Sequence, residues 1–101
     1  MRVLNLSITY YGDKPAEGDL IALALCTNHL LAGANVREVQ SYLWISGQLT
    51  KKTSFVISGS TKEEYVTKIQ KVLDDFDADI TSISGYDTNN EKFLRWFESY
   101  L

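Results

Sequence analysis

One histidine (His29), one cysteine (Cys26) and one proline (Pro15) occur in the 101 residues, and that scarcity excludes a good deal of chemistry. A lone cysteine forms no intrachain disulfide, which fits a reducing compartment. A lone histidine, with no nucleophile elbow in the chain, leaves no readable Ser-His-Asp set. The glycines at 12, 18, 33, 47, 59 and 85 are scattered and build no phosphate loop. The expectation is a protein that is not an enzyme. No stretch approaches the roughly 20 apolar residues of a membrane-spanning helix. The first residues carry a short apolar pattern broken by polar ones, unlike a secretory signal. Basic charge is also sparse: Lys and Arg total 10 against 13 Asp and Glu, a formal net charge of -3. Lys51-Lys52 is the nearest thing to a basic run. Neither nucleic acid nor an anionic membrane is an expected partner, and the expected location is the cytoplasm.

What is present suits one folded domain over residues 1–101, with 45% hydrophobic and 23% charged residues. Residues 2–10 alternate, with Leu4, Leu6, Ile8 and Tyr10 on one face and Asn5, Ser7 and Thr9 on the other, as in a strand with one buried side. A first helix is predicted from Pro15 to Ala32, with Asp13 as its cap. Its core stripe is read as Leu20, Leu23, Ala24, Thr27, Leu30 and Leu31, widened by Ile21, Leu25 and Cys26 so that the helix is covered on more than one side, with Gly33 as its left-handed stop. The segment from Val36 to Ser58 reads as a long hairpin turning through Ser46-Gly47-Gln48. Each arm has about ten residues and could reach roughly 33 Å. A second helix follows a Ser60–Glu63 capping box, with Tyr65, Val66, Ile69, Val72, Leu73 and Phe76 on its core face and Lys62, Lys68 and Lys71 mainly opposite. Residues 78–86 form a fourth strand. Ile80 and Ile83 stand three apart there, so a bulge is one solution and burial on two sides the other. A capping box at Thr88 and Glu91 starts a last, strongly apolar helix.

The order β-α-β-β-α-β plus a terminal helix is the ferredoxin-like α+β pattern. A hairpin this long overhangs so small a domain. Its tip aromatics, Tyr42 and Trp44, are poor candidates for free solvent, and a second copy of the chain is the simplest cover.

Three segments in register resemble the CutA (divalent-cation tolerance) family. Residues 41–49 (SYLWISGQL) resemble its aromatic hairpin S-x-Y-x-W-x-G-K-[IL]. Residues 90–96 (NEKFLRW) resemble its closing helix N-x-x-Y-L-x-W. Residues 28–36 (NHLLAGANV) resemble its helix-to-strand joint E-x-L-A-A-C-x-N-[IV]. The resemblance implies a homotrimer whose long hairpins pair between subunits, with Tyr42, Trp44, Ile45 and Leu49 at the interface. PII-type signalling proteins share this architecture. It also implies a link to divalent metal, copper in particular. However, the family's signature H-P-Y-E-x-P-E is matched here by residues 74–80 (DDFDADI), where only the aromatic survives, as Phe76. Gly33 and the Thr9-Tyr10-Tyr11 region stand where the family has cysteines.

Two constellations remain as metal candidates. Cys26 and His29 are three apart on a predicted helix and would share a face. The alternative is a buried cysteine and a rim histidine. Asp74 and Asp75, with Asp77 and Asp79, suit a hard cation, but their spacing is not that of a calcium loop and a solvated helix end and loop is the favoured reading. The resemblance also implies a ligand cleft between subunits, near Tyr11, Trp44, Asp74, Asp75 and Phe76. Trp44 serves there either as a cleft wall or as plain interface packing.

Overall fold

The alternation of residues 2–10 becomes β1 (Arg2–Tyr10) in the computed structural model, which describes all 101 residues. Leu4, Leu6, Ile8 and Tyr10 are buried on one face, and the pattern departs only at Val3, which is fully buried on the other. α1 (Pro15–Thr27), β2 (Ala34–Ile45) and β3 (Gln48–Thr61) follow. A turn of 3-10 helix at Glu63–Tyr65 then leads into α2 (Val66–Leu73), β4 (Ala78–Asp87) and α3 (Glu91–Tyr100). The strands form one antiparallel sheet in the order β2-β3-β1-β4, the ferredoxin-like arrangement expected from the element order. One core holds Leu6, Ile8, Tyr10, Phe55 and Ile57 from the sheet, Ile21 and Leu25 from α1, and Ile69 and Leu73 from α2. Both main helices therefore cover the same sheet face.

The first helix corrects several expectations. It ends at Thr27 rather than Ala32, and its inward residues are Gly18, Ile21 and Leu25, while Leu20 and Leu23 are exposed. Every residue from 20 to 26 is apolar or cysteine, so the sequence offers no polar contrast to tell one face from another. Lys14 rather than Asp13 precedes the first turn, and no side chain caps it. The stop is not Gly33. His29 takes the left-handed conformation, with φ 57°. The Leu30 amide donates to the Leu25 carbonyl (2.9 Å) and the His29 amide to Cys26 (3.0 Å). That pair of bonds is a Schellman closure with histidine at the position glycine usually holds, and Leu30 and Leu25 supply its apolar contact in the core.

The two other predicted capping boxes also fail. Ser60 lies within β3, its hydroxyl donating to Asn5 (3.0 Å). In α3 the cap is Asn90, whose side chain accepts from the Phe93 amide (3.1 Å), while Thr88 accepts from the Asn90 amide (3.2 Å).

The bulge in β4 is present. Ser7 faces Ser82 and Ile8 faces Ile80, so Thr81 is the extra residue. It places Ile80 and Ile83 opposite Ile8 and Leu6, hence on the same face, despite their odd spacing. Thr81 is tied to β1 through the Thr9 hydroxyl (2.9 Å) and the Ser7 carbonyl (3.2 Å).

The hairpin is longer than the sequence implies, with arms of 12 and 14 residues. Ile45 pairs with Gln48 across a two-residue turn, Ser46-Gly47, with φ 50° and 78°. Two successive positive φ values are those of a type I′ turn, whose twist suits a tight hairpin. β1 accompanies β3 only as far as the Tyr10–Phe55 pair. Residues 48–54 and their partners in β2 run on as a two-stranded ribbon, about 24 Å at roughly 3.4 Å per residue, which helps stretch the molecule to 47 Å.

Candidate functional site at the root and tip of the ribbon

Strand alternation decides what the ribbon presents. Phe55 lies on the core face, so Trp44 with Leu49, and Tyr42 with Lys51, continue that face beyond the last helix contact. Ile45 points to the other side. Trp44 is 75% exposed, and Tyr42, Ile45 and Leu49 are exposed as well. Apolar residues on both faces of a ribbon that no third strand accompanies form an uncovered surface.

At the root of the ribbon, the end of β1 meets the turn after α2. The Tyr11 amide donates to the Asp77 carbonyl (2.9 Å), which draws the turn after α2 against the end of β1. Phe76 in that turn packs half-buried against the core. The Lys52 ammonium stands 5.8 Å from the Tyr11 ring centroid, a cation–π contact. Beside them Ser54 is buried with no partner for its hydroxyl. Tyr10, the last residue of β1, donates its buried hydroxyl to Glu17 in α1. That hydrogen bond to a carboxylate, then burial, then the carboxylate's charge raise the Tyr10 phenol above its ordinary value of 10.0. A Cβ on Gly12 would overlap the Tyr10 hydroxyl, so the bend after β1 needs a residue without a side chain there.

The structure thus joins Tyr11 to the turn containing Asp74, Asp75 and Phe76. It does not bring Trp44 to them. Trp44 pairs with Leu49, six residues along β3 from the root at Phe55, or about 20 Å. Within one chain, the predicted cleft residues form two separate places.

The metal candidates are also dispersed. Because Thr27 ends the helix and His29 turns left-handed, Cys26 and His29 lose the helical i, i+3 relation expected of them. The His29 Nδ1 is 2.9 Å from the Tyr100 carbonyl, which can only accept, so this nitrogen carries the proton. Cys26 is half-buried, and burial pushes its thiol up, away from the thiolate a soft metal needs. The Asp74 carboxylate accepts from Gln70 (3.3 Å) and that of Asp79 from the Ile80 amide (3.0 Å). No three His, Cys, Asp or Glu side chains group in a way that could hold a metal ion. The residues of a single chain do not fit a copper centre. No helix is long and apolar enough to cross a membrane.

Sequence reasoning missed Lys52, Ser54 and the Tyr10–Glu17 pair. The doublet Lys51-Lys52 was the one available signal, and strand alternation separates its two side chains onto opposite faces.

No family model matches the sequence, and no curated protein sequence does either. Solved structures do match, over nearly the whole chain. CutA from Synechococcus elongatus superposes with a TM-score of 0.85 at 18% identity, covering 99% of this chain and 90% of that one. CutA1 from Oryza sativa gives 0.84 at 15% identity, covering 99% and 94%. The periplasmic divalent cation tolerance protein CutA from Archaeoglobus fulgidus gives 0.75 at 21% identity, covering 99% and 98%. The fold is that of these CutA structures.

Proposed function

We propose that the protein is a divergent, non-enzymatic CutA-type homotrimer of the cytoplasm, associated with the response or tolerance to divalent metal ions, in which the usual metal ligands have been replaced. The observation that carries this reading is the 24 Å ribbon (roughly, from strand rise) with Tyr42, Trp44, Ile45 and Leu49 exposed around its tip, on a fold shared with divalent cation tolerance proteins over 99% of the chain. One chain supplies no partner for that ribbon, and a second and third copy of the same ribbon are the economical cover. Self-assembly also gives the two halves of the predicted cleft a way to meet, with Trp44 of one copy set against Tyr11, Asp74, Asp75 and Phe76 of the next.

Light scattering combined with calorimetric titration of copper, calcium and magnesium tests the reading. A trimer that takes up no metal at its own side chains supports it, whereas a monomer contradicts the assembly. Stoichiometric copper binding abolished by Cys26→Ser and His29→Ala would contradict the loss of the ligands. A PII-like regulatory module binding a small ligand or protein at the same intersubunit cleft is the second reading, favoured by the cation and aromatic ring that Lys52 and Tyr11 bring together at the root. The tight Ser46-Gly47 turn, in place of a long signalling loop, weighs against it.

A further inference from the structure

The lysines of α2 that the core does not use stand over a cavity of about 480 Å³ between the end of α1 and the outer side of α2. Its walls are Asn28, His29, Tyr65, Lys68, Lys71 and Val72, closed by Leu30 and Leu101. In a chain of net charge -3, no Asp or Glu lines this cavity, and two lysines do. Lys68 and Lys71 are three apart on one helix, so they share a face and can close on one ligand.

The walls are held by contacts with one another and with the end of α3. The Tyr65 hydroxyl donates to the Leu101 carbonyl (2.8 Å), fixing the ring, and the Lys68 ammonium rests 5.6 Å from that ring's centroid. His29 is pinned through Nδ1 to the Tyr100 carbonyl (2.9 Å). The end of a helix ordinarily repels anions through its free carbonyls. At the end of α1 those of Ala24, Leu25 and Cys26 are already occupied by the amides of residues 28–31 and by the Asn28 side chain (2.7 Å). The cavity therefore combines an aromatic and aliphatic floor with a rim of two cations and a capped helix end.

We propose that this cavity binds a small organic phosphate monoester, its apolar body against Tyr65, Val72 and Leu30 and its dianion between Lys68 and Lys71. Two ammoniums match two negative charges, and the aromatic wall discriminates in favour of an ester over inorganic phosphate. The site is distinct from the ribbon.

Phenyl phosphate is a suitable probe, titrated into the intact protein by calorimetry with amide and side-chain resonances followed in parallel. The expected result is saturable binding that shifts Tyr65 and Val72, with inorganic phosphate and neutral benzyl alcohol both weaker. The Lys68→Ala/Lys71→Ala variant should lose at least about tenfold in affinity, as expected when charged hydrogen bonds are removed. Both lysines are exposed, so its melting temperature and mass should stay those of the parent. Lys68→Arg/Lys71→Arg should retain binding. Failure of phenyl phosphate to bind, equal binding of benzyl alcohol, or unchanged affinity in the double alanine variant would overturn the proposal.

Discussion

At position 29 a histidine occupies the left-handed residue of a helix stop, with φ 57°. A side chain there carries a steric cost of about 1–2 kcal/mol that glycine avoids. His29 offsets it with the bond to the Tyr100 carbonyl, which ties the end of α1 to the end of α3. The two terms can be separated. His29→Ala keeps the backbone cost and loses the bond, and should lower unfolding stability by about 1 kcal/mol. His29→Gly loses the bond but relieves the backbone, and should lie close to the parent in thermal or urea melts. If alanine and glycine behave alike, the backbone conformation is not what the position selects. Sequence alone pointed to Gly33 as the stop because composition does not reveal which of several polar residues will turn left-handed. It also made a helical pair of Cys26 and His29 because the end of the helix was placed five residues late.

Tyr10 gives a prediction of the opposite kind, in pH. The carboxylate of Glu17 and burial raise the folded phenol's proton affinity, so above pH about 10 the unfolded chain loses this proton first and the folded state holds more protons. Stability from this pair is thus fully present below that pH and falls as pH rises through the folded value. Tyr10→Phe should flatten the alkaline limb of a melting-temperature profile while leaving the other tyrosines to titrate. An unchanged limb would mean that Tyr10 does not hold its proton against Glu17.

Among the elements, legibility followed contrast. β1, the hairpin and α2 could be read because their polar and apolar residues alternate at the period of the structure they form. The seven apolar residues 20–26 offer no such contrast, so a stripe widened to include them does not separate Ile21 and Leu25, which are buried, from Leu20 and Leu23, which are exposed. The bulge at Thr81 is one of the two solutions that the Ile80–Ile83 spacing leaves open, and the register along β1 selects it. The caps were misplaced by small distances, which is where side-chain competition for the same amides decides the outcome. Thr88 and Asn90 both stand before α3, and it is Asn90 that reaches Phe93. Asn90→Ala should cost about 1 kcal/mol in a denaturant melt and more than Thr88→Ala; the reverse order would restore the capping box.

The turn is the other element with a measurable consequence. Gly47 at φ 78° and Ser46 at 50° both sit where asparagine and glycine are favoured. Gly47→Ala should destabilise by about 1–2 kcal/mol, and Ser46→Asn should raise the melting temperature. If Gly47→Ala is neutral, the ribbon tip does not hold the type I′ geometry.

At the scale of the whole molecule, the sheet ends where β1 ends and the ribbon continues alone. The sequence made a long hairpin and the aromatics at its tip plain, because both are local. It could not place Trp44 relative to Tyr11 and the turn at residues 74–77, because that distance depends on where β1 stops pairing with β3. Seen in three dimensions the cleft residues lie about 20 Å apart along the strand, so a cleft containing all of them needs more than one chain. Trp44→Ala should weaken such an assembly, since removing an aromatic that is buried in it costs roughly 3–5 kcal/mol. An unchanged mass and melting temperature in that variant would place the tip outside any interface.

The mass of the purified protein in solution tests the account most directly. Light scattering on a size-exclusion peak should give three times the chain mass of 11.4 kDa, persisting on dilution and shifting to smaller species in Trp44→Ala. A peak of 11.4 kDa for the parent protein would contradict it.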